Sequence, residues 1–269
     1  VSASGDAQAR VTFSDWPYPA FVAHRGAGSL APENTLAALR TGRSFGYRMF
    51  EIDAKLSGDG VALLMHDATL DRTTDGRGRV DAQPFAALAR LDAGSWHSAA
   101  FAGEGIPTLE RVARWILAND AMLNIEIKPT RGRERETGAA VALDARAAWR
   151  DAGVPPLLSS FSPMALAAAR EAAPELPRAL LLDELPVDWL DRCTALGCVA
   201  LDVEHSLLDA GLVARAHQAS LRVLAWTVND EARVEELFDA GLDAVITDVV
   251  DRIAPGRARR NPGTSGASC

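Results

Sequence analysis

The chain has 269 residues, 48% of them hydrophobic and 24% charged, with a formal net charge of −8. That size and composition suit a globular chain with a large core and exclude a disordered one. The acidic balance argues against non-specific attraction to nucleic acid or to an anionic membrane surface, because both would repel the average surface.

In chain order, short apolar or β-branched runs alternate with longer alanine- and leucine-rich segments. FVAHR (21–25) predicts a first strand, and ENTLAALRTGRSFG (33–46) a helix with Pro32 at its start, where a missing N–H costs little. MFEIDAK (49–55) predicts a second strand, after which Gly58-Asp59-Gly60 supplies the positive φ angles of a tight turn and VALLMHD (61–67) a hairpin partner. Residues 69–108 then break the repeat as an irregular insertion, placed where a substrate-covering element would sit.

The alternation resumes with the helix LERVARWILAN (109–119), the strand MLNIEIK (122–128) and a helix over 137–153. Four more strands are predicted at 156–161, 178–183, 199–204 and 222–228, each followed by a helical pattern (163–173, 188–197, 209–219, 230–241), and AVITD (244–248) supplies the last. Eight strands with intervening helices, in a chain close to the ~250 residues usual for the architecture, predict a single (β/α)8 TIM barrel over residues 1–251 with a small insertion after the second strand. A doubly wound open sheet is the alternative. The polar, basic tail over 252–269 is predicted to be disordered.

The three cysteines, Cys193, Cys198 and Cys269, are spaced for neither a disulfide framework nor a zinc site and read as ordinary thiols. No run of about 18 apolar residues is present to span a bilayer. The opening VSASGDAQAR lacks the charged-then-apolar order of a secretory signal. A cytoplasmic protein is expected, without nucleic-acid partners or stable membrane association; the oligomeric state is not legible.

Charged residues inside two apolar strands are the chemical signal. In Glu51-Ile52-Asp53 the two carboxylates share one face of a strand, about 6.6–6.8 Å apart along it, and Glu126-Ile127-Lys128 repeats the spacing. Unpaired charges cannot face a dry core. Three carboxylates against one lysine leave an excess that suits a hard divalent cation, Mg²⁺, Mn²⁺ or Ca²⁺, because oxygen ligands without thiolate do not select zinc. The alternative is a structural ion-pair cluster in which Glu126 or Asp53 pairs with Lys128 or Arg25.

His24 and His66 end the first strand and the hairpin strand, so both can converge on these carboxylates and move protons near neutral pH. Arg25 and Lys128 add fixed positive charge suited to phosphate oxygens. Strict alternation would put His24 and Arg25 on opposite faces, so the chain must bend or end there for both to reach one site. Trp226 is read either as core packing or as an aromatic wall. His97, His205 and His217 are read as structural or surface residues, and Ser159, Ser160 and Ser162 lack an evident histidine partner. GAGSLAPEN lacks the Gly-Lys-Ser/Thr ending of a P-loop, and no G-x-S-x-G elbow occurs.

AHRG, PENT (32–35), EIDAKLSGDG, LLMHDATLDRTTDGRG, NIEIKP, LLSSF, WTVN and ITD, in that order, resemble the glycerophosphodiester phosphodiesterase family over nearly the whole chain. The stretches WPYPAFVAHRG, AGSW and APELPRALLLDE resemble its short cytosolic bacterial members. The resemblance implies a TIM-barrel enzyme hydrolysing glycerophosphodiesters such as glycerophosphocholine or glycerophosphoethanolamine to sn-glycerol 3-phosphate and an alcohol. It implies Glu51, Asp53 and Glu126 as ligands of one divalent cation, Mg²⁺ first, and His24 and His66 as the acid/base pair. Arg25 and Lys128 would hold the phosphate, and Trp226 would contact substrate. Three readings compete: a lysophospholipase D or other phospholipase, an aldolase- or enolase-like barrel using Lys128, and a silent binding barrel.

Overall fold

The computed structural model describes residues 16–253 and residue 255; from residue 256 onward the predicted disordered tail lies outside the described residues. The elements run β1 (Phe21–Ala23), α1 (Leu36–Ser44), β2 (Met49–Leu56), β3 (Ala62–Leu64), α2 (Phe85–Leu88), α3 (Leu109–Ala118), β4 (Met122–Ile127), α4 (Glu134–Ala148) and β5 (Leu157–Ser160). They continue with α5 (Pro163–Ala172), β6 (Arg178–Leu182), α6 (Trp189–Leu196), β7 (Ala200–Glu204), α7 (Ala210–Gln218), β8 (Arg222–Trp226), α8 (Glu231–Asp239) and β9 (Ala244–Thr247).

Strands β2, β4, β5, β6, β7, β8, β9 and β1 pair in that order, all parallel, and β1 pairs back onto β2 through Val22↔Met49 and Ala23↔Phe50. That last pairing closes the eight-stranded (β/α)8 barrel and removes the open-sheet alternative. Alternation along the strands sorts the core into two shells. Phe50, Ile52, Leu123, Ile125 and Leu158 pack outward under the helices, whereas Val22, Met49, Leu157, Ala179, Ala200, Leu224 and Ala244 fill the lower barrel interior. The residues two and four positions on from Met49 along β2 are Glu51 and Asp53, which therefore belong to the interior of the upper barrel.

The helices start where short polar side chains can accept an otherwise unpaired backbone N–H. Thr35, Thr108, Ser162, Asp209 and Asp230 accept from the N–H groups of Ala38, Arg111, Ala165, Leu212 and Arg233 and cap α1, α3, α5, α7 and α8. Each cap contributes about 1 kcal/mol and fixes the loop that precedes its helix, on the face where the strands end. Helix α4 begins at Glu134, earlier than its apolar pattern, because its first turn is polar and exposed. No helix among the described residues is long and apolar enough to cross a membrane.

Two departures from the regular repeat shape that face. Strand β1 stops at Ala23, two residues before its predicted end, while β2 continues to Leu56. The unpaired extension of β2 takes β3 as an antiparallel partner through Ala54↔Leu64 and Leu56↔Ala62. The 69–108 stretch has local order: bridges join Thr69 to Arg79 and Asp92 to Gly105, and Leu63, Met65, Leu70, Val80, Leu88, Ala93 and Ile106 form a small core of their own.

Candidate active site

Immediately after β1 the chain turns through His24–Gly26, with Arg25 in the left-handed region at φ 50°. This is the bend that alternation required, and it turns both His24 and Arg25 to the barrel mouth. The Arg25 N–H donates to Glu51 Oε2 at 3.1 Å, and its carbonyl accepts from Asn34 N–H at 3.0 Å. Two glycines make the turn fit. A Cβ on Gly26, at φ +100°, would lie 2.7 Å from Ala38 Cβ in α1, and one on Gly28 would lie 2.2 Å from Asp248 Cα. Ser29 N–H also donates to the Asp248 carbonyl at 3.0 Å. The loop therefore lies directly against the segment that carries Asp248.

Glu51, Asp53 and Glu126 converge, each offering an oxygen within 4.8 Å of the others. All three are buried. Burial, then Asp53 and Glu126, push Glu51 well above the ordinary carboxylate range, and one of its oxygens, Oε1, is buried without a hydrogen-bond partner. Burial and Asp53 push Glu126 up to about 7 despite Lys128. Asp53 goes the other way: burial opposes its charge, but Arg25 and Lys128, with His66 and Asn34, outweigh it and hold it low. Asn34 donates to Asp53 Oδ2 at 2.7 Å and accepts from its backbone N–H at 2.9 Å.

Lys128 Nζ donates to Glu126 Oε1 at 2.7 Å and lies 3.6 Å from Asp53 Oδ1, while Arg25 Nε lies 3.4 Å from Asp53 Oδ2. The ion pairs weighed as the structural alternative thus exist, yet they close on Asp53 and Glu126 and not on Glu51. An oxygen-only set in which one carboxylate oxygen, Glu51 Oε1, is buried without a partner could hold a hard divalent cation beside these ion pairs.

Each predicted proton carrier is anchored through Nδ1. His24 Nδ1–H donates to Asp248 Oδ1 at 2.6 Å, and its Nε2 lies 3.8 Å from Glu51 Oε2. His66 Nδ1–H donates to Asp67 Oδ1 at 2.8 Å. Both assignments follow from the carboxylate partner, which can only accept when ionised. Burial, then Arg25 and Lys128, lower the His66 pKa against the pull of Asp53 and Asp67. Asp248 is held low: the His24 contact and Asn229 outweigh burial, and Asn229 donates to Asp248 Oδ2 at 3.1 Å.

His24, Arg25, Glu51, His66, Glu126, Lys128 and Trp226 line one pocket of about 120 Å³. Asp53 adjoins it through the ion pairs above. Trp226 stands edge to face with Phe161 at 5.3 Å, and Lys128 Nζ lies 5.4 Å from the Phe161 ring centre, so the tryptophan is a wall of the pocket. The remaining histidines lie elsewhere: His97 bonds the Ser29 carbonyl, His205 faces Glu204 and His217 pairs with Asp243.

Several residues escaped the sequence reading. Asp67 follows His66 directly, whereas Asp248 is far along the chain and only closure of the barrel brings it to His24. Phe161 ends the LLSSF segment, yet nothing in that run marks it as a pocket wall. Lys55 continues the alternation of Glu51 and Asp53; it donates to the Lys128 carbonyl at 2.8 Å, and burial lowers its pKa to about 8. Asn124, paired with Glu51 in the sheet, Ser159, paired with Glu126, and Asp202 also line the pocket, and burial together with Glu126 pushes Asp202 well above the ordinary range. Ser160 and Ser162 serve the backbone, bonding the Ile127 carbonyl and capping α5.

The geometry meets an independent finding: the model of the glycerophosphoryl diester phosphodiesterase family matches residues 24–252. The chain belongs to that family. A glycerophosphodiester phosphodiesterase of Caldanaerobacter subterraneus subsp. tengcongensis is 32% identical over 227 residues, 84% of this chain and 93% of that one. Another, of Bacillus subtilis, is 29% identical over 245 residues, 86% of this chain and 83% of that one. A solved structure of an Oleispira antarctica phosphodiesterase in complex with its product sn-glycerol-3-phosphate superposes with a TM-score of 0.82 at 39% identity, covering 88% of this chain and 95% of that one. The protein is a glycerophosphodiester phosphodiesterase built on a (β/α)8 barrel.

Proposed function

We propose that this phosphodiesterase hydrolyses small water-borne glycerophosphodiesters, such as glycerophosphocholine and glycerophosphoethanolamine, to sn-glycerol 3-phosphate and the free alcohol. The reading includes a cytoplasmic setting without stable membrane attachment. One observation carries it: three carboxylates and two aspartate-anchored imidazoles meet around a single pocket of about 120 Å³. The product held by the Oleispira antarctica relative supports the same substrate class.

Glu51, Asp53 and Glu126 would hold one divalent cation, Mg²⁺ first among Mg²⁺, Mn²⁺ and Ca²⁺; bound there, it supplies Lewis-acid polarisation of a phosphate oxygen. Arg25 and Lys128 bring positive charge to the remaining phosphate oxygens and stabilise charge that develops on them. His24 acts as base, because its Nε2 faces the carboxylate cluster while Asp248 holds Nδ1–H. It takes the proton of the attacking hydroxyl, either that of water or the substrate's 2-hydroxyl; in the second case a cyclic phosphate forms, and water then opens it to glycerol 3-phosphate. His66 acts as acid in its imidazolium form: Nδ1–H stays on Asp67 while the Nε2 proton passes to the departing alkoxide and leaves the neutral ring. Trp226 bounds the pocket beside the substrate.

The aldolase-like reading is disfavoured by Lys128. Although burial works against its charge, Glu126 and Asp53 raise its pKa, so the amine stays protonated and is not a nucleophile. The deciding experiment is release of glycerol 3-phosphate from a panel of glycerophosphodiesters and a lysophospholipid, with several divalent ions. Turnover of glycerophosphocholine well above the lysophospholipid is expected; comparable rates would transfer the assignment to a lysophospholipase.

A further inference from the structure

The 69–108 insertion sends one side chain back toward the site. The segment carrying it is firmly seated. Leu70 is buried in the insertion's own core and its N–H donates to the Gly78 carbonyl at 2.9 Å. Thr74 Oγ1 donates to the Leu70 carbonyl at 2.7 Å, Thr73 Oγ1 reaches Met65 Sδ, and both threonines are buried. Arg72 projects from this turn. Its Nε and Nη2 donate to the two oxygens of Asp67 at 2.7 and 3.0 Å. Its Nη1 and Nη2 donate to the two oxygens of Glu33 at 2.7 and 2.8 Å.

Each of those carboxylates holds a residue of the pocket. Asp67 accepts from His66 Nδ1–H, and Glu33 Oε1 accepts from Arg25 Nη1 at 2.9 Å. Arg72 itself does not line the pocket. A planar guanidinium satisfies four oxygens of two carboxylates in one plane, which a lysine ammonium cannot do. The Asp67 carboxylate is held far below its ordinary range, first by Arg72 and then, against burial, by His66. It therefore remains an acceptor for the imidazole across the working pH range.

We infer that Arg72 is a positioning residue of the phosphodiesterase: it joins Asp67 to Glu33 and so sets His66 and Arg25 together, making the insertion part of the reaction machinery rather than a cover over it. The inference rests on the proton-donor role proposed for His66. Without Arg72, Asp67 is free to rotate, His66 loses the fixed Nδ1–H orientation that aims Nε2 at the leaving group, and proton delivery suffers.

The test compares Arg72→Ala, Arg72→Lys and His66→Ala on glycerophosphocholine, whose alkoxide must be protonated, and on a glycerol 4-nitrophenyl phosphodiester, whose phenolate leaves without a proton. Arg72→Ala is expected to lose kcat on glycerophosphocholine by about 10²-fold and far less on the nitrophenyl ester. Millimolar guanidinium should restore part of that loss, and Arg72→Lys should not. In the metal-free protein at a pH where His66 is neutral, nitrogen-15 NMR should show a single Nδ1–H tautomer in wild type, the form that takes up its transferable proton at Nε2, and a mixture in Arg72→Ala. An Arg72→Ala protein with wild-type kcat on both substrates, or with equal losses on both and an unchanged His66 tautomer, would overturn the inference. If His66→Ala itself shows no leaving-group dependence, the donor role of His66 falls, and the tautomer measurement alone then decides whether Arg72 orients it.

Discussion

The lower and upper halves of the barrel interior are built by the same strands with opposite chemistry. In the lower half, Met49, Leu157, Ala200 and Leu224 meet as a layer whose own side chains carry no polar group. In the upper half, continuations of those strands carry Glu51, Asp53, Glu126 and Asp202, and several of their polar atoms are buried without partners. The lower layer gains from exclusion of water, whereas the upper one costs stability because its buried carboxylates crowd together. A fold can carry such a site because the apolar half and the helix shell supply the stability that the site forgoes.

The sharpest way to break this division is to remove chemistry without touching the core. His24→Ala is expected to reduce kcat by about 10²–10⁴-fold with an unchanged melting temperature, measured by turnover of glycerophosphocholine and by circular dichroism. Glu126→Gln, which keeps shape and removes charge, should lower activity by about 10²–10³-fold and abolish the heat of Mg²⁺ binding in calorimetry.

The reverse substitution sharpens the contrast from below. Leu157→Ala should destabilise the protein by about 2–5 kcal/mol in urea unfolding while leaving kcat per folded molecule intact. A large kcat loss in that variant would show that the two halves are not separable.

Protonation offers a subtler probe. With Glu126 pushed up to about 7 in the cation-free protein, a divalent ion must displace a proton near neutrality. Its affinity should fall as pH drops from 8 to 6, and calorimetry in buffers of different ionisation enthalpy should register proton release. The smallest effect concerns Asp202. Its pKa is raised in the fold by burial and Glu126, so above the ordinary carboxylate range only the unfolded chain ionises it, and wild-type stability declines as pH rises. Asp202→Asn lacks that slope: its urea midpoint should gain on wild type between pH 4 and pH 8.

The carboxylate pattern was readable because alternation is a local rule. Glu51 and Asp53 share a face wherever β2 lies, and two such strands imply a meeting of charge. His66 was legible at the end of the hairpin strand, whereas its neighbour Asp67 was not assigned, because alternation says nothing of adjacent residues. Lys55 obeys that rule too, two residues beyond Asp53 on the same face. Asp248 could not be assigned from spacing, since its contact with His24 crosses the seam where β9 meets β1. Arg72 was hidden differently: an arginine in a polar turn normally reaches solvent, and only the packing of Leu70, Thr73 and Thr74 turns it onto Asp67 and Glu33.

By itself the sequence determined the barrel, through eight apolar runs separated by helix-length segments, and the inward carboxylates, through period-two spacing, because both are short-range consequences of backbone geometry. Tertiary structure alone decided which groups from distant loops complete the site. The left-handed turn at Arg25 and the pairing of β1 with both β2 and β9 bring His24, Asp248 and the carboxylates to one mouth. Contacts between loops depend on how the whole barrel closes, and no local pattern encodes that closure.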